Sequence, residues 1–291
     1  MTLDVVIVSY RSRELLRDCL ASLREHAGGH RVIVVDNDSR DGTVEMVERE
    51  FPGVRLIANG ENLGFGKATN EGIHGGDSTY VLALNPDTRV AEGALDRLLE
   101  LMDEQPEIGI CGCRLELEDG TLDHAAKRSF PTVFGALGHF AGARTQYRAP
   151  GVDSGPVDAV NGAFMLMRRS VLDEIGLFDE GYWMFMEDLD LCYRCREAGH
   201  VVWYEPSVSV VHVKHGSHGD VRSPKLDYAF HYGMYRFYRK HYARRRNVLV
   251  NAAVYGGIWG KLGISLAGGA VRRAGRSLRG RPPRPSAPRS A

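Results

Sequence analysis

The first hundred residues alternate short apolar runs with amphipathic stretches, and this alternation constrains the fold more than any other feature of the chain. Residues 5–8 are continuously apolar, as expected of a strand buried on both faces of a sheet. Leu15, Leu16, Cys19, Leu20 and Leu23 then recur at helical spacing and stop at Gly28 and Gly29. Residues 32–35 read as a second strand, and Val44, Val47 and Phe51 mark a short helix closed by Pro52 and Gly53. Residues 54–58 and 80–84 give a third and a fourth strand; Leu95, Leu98, Leu99 and Met102 form another helical face that ends near Pro106. Repetition of this kind predicts an α/β fold, a mostly parallel twisted sheet flanked by helices.

After residues 108–117 the rhythm changes. Asp119 and Gly120 read as a tight turn, and residues 130–156 as a long loop of the kind that covers a site. Residues 157–167 read as one strand and 189–198 as a short helix stopped by Gly199, with further strands at 201–204 and 208–213. Ligands of open α/β sheets bind outside the carboxyl ends of the strands. Four polar segments fall there: Ser9-Tyr10-Arg11, Asp36-Asn37-Asp38-Ser39, Asn62-Leu63-Gly64-Phe65-Gly66 and Asn85-Pro86-Asp87. One such end is a turn or a helix cap; four along one edge point to a binding site.

Those segments lie in VVIVSYRS, VVDNDSRDGT, NLGFGKATNEGI and LALNPDTRV. In this order they resemble the nucleotide-binding half of the family-two glycosyltransferases. VNGAFMLMRRSVLDEIGLFDE and FMEDLDLCYRCREAG are similar to the acceptor half. The resemblance covers residues 3–215 and is strongest to the bacterial rhamnosyltransferase-like branch. It implies a GT-A fold and an inverting, metal-dependent transfer of a sugar from a nucleotide diphosphate to a hydroxyl. The preferred donor is dTDP-rhamnose, and the acceptor a cell-envelope glycan or polyprenyl-linked glycan. The same chemistry on a UDP-hexose, or nucleotide-sugar binding without turnover, are the alternatives.

Carried onto this chain, the resemblance assigns donor contacts to Ser9, Asp36, Asn62, Gly64, Lys67, Asn85 and Asp87. Asp36 would accept from a base imide or ribose hydroxyl, or merely form a turn. Gly64 and Gly66 would let backbone approach the donor, and Lys67 would face the diphosphate or be a solvated helix residue. Asn85-Pro86-Asp87 stands where relatives carry Asp-x-Asp, so one carboxylate, Asp87, is left to hold Mg²⁺ or Mn²⁺. His212, with His215 as second candidate, would complete the metal site; otherwise these histidines form a surface cluster. Asp188 is the expected base and Glu187 its support. The competing account makes Asp188 and Asp190 simple first-turn acids of a helix.

A hydrophobic fraction of 43% with 25% charged residues is that of a soluble globular protein. The net charge of zero hides an asymmetry: 14 of the 37 Lys and Arg follow Asp227, the last acid in the chain. A basic tail suggests an anionic membrane surface as partner, or a solvated disordered segment. Aromatics interleave with bases over residues 232–246, a pattern that also suits nucleic acid, but no nucleic-acid partner is expected. Residues 248–271 are apolar and Gly-rich but broken by Asn251 and Lys261, which favours a helix lying in the interface, anchored by Tyr255 and Trp259, over a span. The expected organisation is a catalytic domain at 1–225 (donor half 1–105, acceptor half 106–225), a helical membrane-proximal segment at 226–271 and a disordered tail at 272–291. Met1 runs directly into residues 5–8 without a basic leader, so a cytoplasmic location at the inner face of the membrane is expected. The five cysteines, two closely spaced pairs among them, read as structural thiols rather than zinc ligands.

Overall fold

A computed structural model describes residues 3–131, 153–213 and 223–278. His215, most of the loop expected at 130–156 and the tail beyond 278 lie outside the described residues. The chain forms two compact units, residues 1–217 and 218–291.

In the first unit, β1 (Leu3–Ser9) pairs in parallel with β2 (Arg31–Asp36), which pairs in parallel with β3 (Arg55–Ala58). On its other side β1 takes β4 (Tyr80–Leu84), also in parallel. β1, β2 and β4 are apolar and largely buried because helices cover the sheet, while β3 at the edge is half-exposed. α1 (Arg13–His26) contributes Leu16, Cys19, Leu20 and Leu23 to the core, α2 (Thr43–Glu50) Met46 and Val47, and α3 (Phe65–His74) Ala68 and Ile73. Register aligns the strand ends: Ser9 lies opposite Asp36 and Ile7 opposite Leu84, so three loops leave the sheet at one level.

Beyond β4 the sheet is mixed. After β5 (Thr88–Val90) and α4 (Ala94–Glu104) comes β6 (Ile108–Glu116). The single strand expected at 157–167 is broken. β8 (Gly155–Pro156) lies on the main sheet, β9 (Ala159–Val160) pairs with β7 (Lys127–Arg128), and β10 (Phe164–Arg168) returns between β4 and β6. The break is at Asn161, whose side chain accepts from the Ala163 amide at 2.8 Å and stabilises a turn. After α5 (Arg169–Ile175), α6 (Glu187–Glu197) starts two residues before its expected position, so Glu187 and Asp188 both occupy its first turn. The two strands expected at 201–213 are one strand, β11 (Val201–His212), with an irregularity between Glu205 and Ser209 around Pro206. The order is β3-β2-β1-β4-β10-β6-β11-β5, with β8 also on β11.

The second unit contains α7 (Pro224–His241), a 3-10 turn (Ala243–Arg245) and α8 (Val248–Leu278). Ser223 caps α7 by accepting from the Leu226 amide at 3.3 Å. The interleaved aromatics lock the helices together: Tyr235 meets Tyr255 and Trp259 at ring-centroid distances of 5.1 and 5.6 Å, and Tyr238 donates to Asn251 at 2.7 Å. Tyr255 and Trp259 therefore pack on α7 as well as facing outward. Over residues 248–271 the exposed positions of α8 are Val248, Leu249, Trp259, Ile264 and Val271 with Ala and Gly between them, and Lys261, the one charged residue there, is half-buried. Among the described residues, no helix is long and apolar enough to cross a membrane.

Candidate active site

The β1 and β2 ends build one wall. Asp36 is buried; its Oδ2 accepts from the Ser39 amide at 3.0 Å, while Oδ1 has no partner within the protein. Ser9 is fully buried with its hydroxyl 3.0 Å from Ser12, so it acts on this edge by shaping the loop rather than through a free hydroxyl. The Arg11 amide donates to Ser39 at 3.0 Å and ties the two loops together.

The glycine loop is packed tightly within the protein. Gly64 sits at φ +85°, and a Cβ there would lie 2.0 Å from the Trp183 carbonyl oxygen. That oxygen accepts from the Phe65 amide at 3.0 Å, and the Trp183 indole donates to the Asn62 carbonyl at 3.2 Å. Gly66 is buried against Phe178 and Glu187. The close approach at these two glycines is of α3 to the segment carrying the acidic pair. Asn62 uses its side chain to accept from the Gly64 amide at 2.9 Å, and Asn37 donates to the Gly64 carbonyl at 2.9 Å. Asn37 was not singled out in the sequence because turn residues at a strand end do not reveal their long-range partner. Lys67 is exposed in the first turn of α3.

At the β4 end, Asn85 donates its amide to Ala163 at 2.9 Å and accepts from Thr88 Oγ1 at 2.7 Å, fixing the turn that presents Asp87. Antiparallel pairing of β11 with β5 sets His212 opposite Thr88. His212 Nε2 then faces Asp87 Oδ1 at 3.4 Å and Nδ1 meets Asp123 Oδ2 at 3.0 Å. Burial lowers the proton affinity of this imidazole, but the two carboxylates outweigh it and push its pKa up to about 9. Asp87 Oδ1 is buried, and the His212 ring at 3.4 Å is all that it meets. Asp87 and His212 therefore fit a divalent cation whose remaining ligands are phosphate oxygens and water. Among the described residues no group of three or more His, Cys, Asp or Glu forms a closed cage. Asp123, missed in the sequence, holds Nδ1 and leaves Nε2 toward Asp87.

The acidic pair enters α6 through two residues at positive φ, Phe185 (70°) and Met186 (71°). Asp188 Oδ1 accepts from the Leu189 amide at 2.8 Å; Oδ2 accepts from Gly162 at 3.0 Å and forms an ion pair with Arg128 of β7. Glu187 is buried with Oε2 unpartnered, and desolvation, then the neighbouring Asp188 charge, drives its pKa upward. The two carboxylates thus sit in unlike surroundings, Asp188 paired with a guanidinium and two backbone amides and Glu187 buried without a partner for one oxygen. Asp190 is structural, accepting from Tyr182 at 3.3 Å and Arg194 at 2.8 Å. All five cysteines are buried and free.

The polar strand ends, the Asp87–His212 pair and the buried acidic pair all lie on a GT-A sheet. Residues 4–176 match the model of Glycosyl transferase family 2, and the chain belongs to that family. It is 33% identical over 251 residues to the N-acetylglucosaminyl-diphospho-decaprenol L-rhamnosyltransferase of Mycobacterium tuberculosis (strain ATCC 25618 / H37Rv), covering 79% of this chain and 81% of that protein. It is 27% identical to rhamnosyltransferase WbbL of Escherichia coli (strain K12), covering 85% of this chain and 94% of the relative. Among solved structures, the Pyrobaculum calidifontis mannosyltransferase PcManGT with GDP-Man and Mn²⁺ superposes with a TM-score of 0.58 at 17% identity, covering 95% of this chain and 79% of that one. GalNAc-T7 with UDP, GalNAc and Mn²⁺ has the same TM-score at 16% identity; the match covers 73% of this chain but only 44% of that longer one. At such identities the likeness speaks for the fold.

Proposed function

We propose that the protein is an inverting, metal-dependent rhamnosyltransferase that moves rhamnose from dTDP-rhamnose to a hydroxyl of a lipid-linked cell-envelope glycan. The observation that carries this reading is a set of buried carboxylate oxygens that the protein leaves open: Asp36 Oδ1 and Glu187 Oε2 accept no hydrogen bond, and Asp87 Oδ1 meets only the His212 ring at 3.4 Å. Buried polar groups are otherwise almost always paired, so these three mark where ligands complete the site. The choice of sugar and acceptor rests on the mycobacterial and E. coli relatives, both named as rhamnosyltransferases, the former for a decaprenol-linked acceptor.

Asp36 Oδ1 would accept from the base imide or ribose hydroxyl of the donor. Mg²⁺ or Mn²⁺, held by Asp87 and His212, would neutralise charge developing on the leaving diphosphate. Asp188 would take the proton of the acceptor hydroxyl as its oxygen attacks the anomeric carbon opposite the leaving group, a single displacement that inverts configuration. Glu187, neutral, would orient acceptor or base. Residues 1–225 would carry this chemistry. The apolar exposed positions of residues 248–271, flanked by Arg244, Arg245 and Arg246 and by the bases after Val271, would hold the enzyme on the anionic inner face of the cell membrane. A panel of nucleotide sugars, scored for diphosphate release with and without Mn²⁺ and for product configuration by NMR, tests the reading. Preference for dTDP-rhamnose with inversion is expected. A retained anomeric configuration overturns the displacement, and preference for another donor overturns the sugar.

A further inference from the structure

We propose that Arg128 is a positioning residue of the transfer reaction, holding Asp188 in its reactive orientation and keeping it the charged member of the Glu187–Asp188 pair. The inference rests on the reading of Asp188 as base. β7 is only two residues long, yet the segment leading into it is pinned: the Ala126 amide donates to the Asp123 carbonyl at 3.0 Å, the Asn161 amide to the Ala126 carbonyl at 3.1 Å, and the Asn161 side chain to the Ala125 carbonyl at 3.2 Å. One strand residue earlier, Lys127 turns to the Tyr204 ring, 4.7 Å from its centroid. The guanidinium therefore reaches Asp188 from a fixed element, and the same short segment begins at Asp123, the residue that orients His212.

The pair is sheltered, with side-chain exposures of 25% for Arg128 and 10% for Asp188. Arg128 Nε is buried without a partner, and its other protein contact is a marginal one, 3.5 Å from the Val160 carbonyl. A guanidinium used only as a brace would have its donors satisfied. Among the described residues, Glu187 on the same helix is acidic, the Cys192 thiol one turn on is neutral, its pKa raised chiefly by burial, and from α3 the Phe65 ring reaches the Gly162 backbone that Asp188 bonds. Two backbone amides remain, from Gly162 and Leu189. Without the cation, burial and the neighbouring acid both favour a proton on Asp188, and a protonated carboxyl cannot accept one from the acceptor.

The test is the pH profile of sugar transfer for Arg128→Gln, Arg128→Met and Arg128→Lys, with melting curves and nucleotide-diphosphate binding measured alongside. The acid limb of kcat is expected to move up by about one pH unit or more in the uncharged variants, a tenfold loss per unit below it. It should return most of the way in Arg128→Lys, with donor KM within about twofold of wild type throughout. A uniform fall in kcat with the limb in place, an unchanged profile, or failure of both uncharged variants to fold makes Arg128 a brace and overturns the proposal. Should Asp188→Asn itself retain turnover, the assignment of the base has failed instead, whatever Arg128 does.

Discussion

Replacing Gly64 by alanine should damage stability and catalysis together, because two halves of the site touch at that residue. Its backbone, φ +85° and ψ −175°, lies in a region nearly restricted to glycine, at a cost of about 1–3 kcal/mol for any other residue. The added Cβ would fall 2.0 Å from the Trp183 oxygen and 2.8 Å from its carbonyl carbon and Cδ1. Reaching ordinary contact requires a retreat of more than about 1 Å. That retreat breaks the 3.0 Å bond from the Phe65 amide and leaves a buried backbone group unpaired, about 1–3 kcal/mol more. The total of about 2–6 kcal/mol is a large share of the roughly 5–15 kcal/mol that holds a domain folded. Trp183 also begins the bend that delivers Glu187 and Asp188, and a 1 Å misplacement of reacting groups costs roughly 10²-fold in rate. Urea unfolding followed by circular dichroism, with donor turnover below the transition, measures both. Gly60→Ala is the control, since nothing lies within 4 Å of a Cβ there. Stability of Gly64→Ala within about 0.5 kcal/mol of wild type, the range of an ordinary surface change, would refute the reasoning.

Asp87→Ala and His212→Ala should abolish Mn²⁺ binding in the presence of nucleoside diphosphate, and Asp123→Asn should weaken it by about 10–100-fold; calorimetry showing wild-type affinity in all three removes the cation site from this corner. Asp188→Asn keeps the side chain's shape and loses its basicity, so turnover should fall by about 10²–10⁴-fold with donor binding retained, and activity within a few-fold of wild type would pass the role to Glu187. Full-length protein should sediment with anionic vesicles at low salt and be partly released at 1 M, where the Debye length is about 3 Å. A chain ending at Lys225 should stay in the supernatant and still turn over donor; indifference of the full chain to vesicles would remove the membrane from its surroundings.

The parallel half of the fold was legible because strands buried on both faces, such as residues 5–8 and 80–84, are unbroken apolar runs whose ends are marked by polar residues. α3 was harder to see: its first turn contains Gly66 and its buried face is Ala68, Thr69 and Gly72, small groups that give little apolar periodicity. The reason for Gly64 was out of reach, since its neighbour in space, Trp183, is set by tertiary packing. The same holds for Asp123 and Arg128. Each becomes part of the site only through a partner, His212 or Asp188, that is 89 or 60 positions away. In the sequence both look like ordinary charges near a turn. Asn161, by contrast, carried a local signal, an Asn-Gly pair within an apolar run, and the break in the strand follows from it.

The two walls of the cleft differ in how freely they can change over evolutionary time. Tyr10, Arg11 and Arg40 are exposed beyond the last paired residues of β1 and β2, with Arg11, Asp38 and Arg40 already at positive φ, while the core beneath them closes without their help. Substitutions on such tips usually shift stability by no more than about 0.5 kcal/mol. The opposite wall has no such slack, because Gly64, Gly66, Trp183 and Glu187 occupy one another's space. With the nucleotide on the first wall and the acidic pair on the second, as proposed, descendants of this sequence would drift in the nucleotide they prefer through single neutral steps, whereas the reaction would be fixed by the same contacts that keep them folded. A directed-evolution library aimed at new donors belongs on the first wall, where nearly every member will still be a protein.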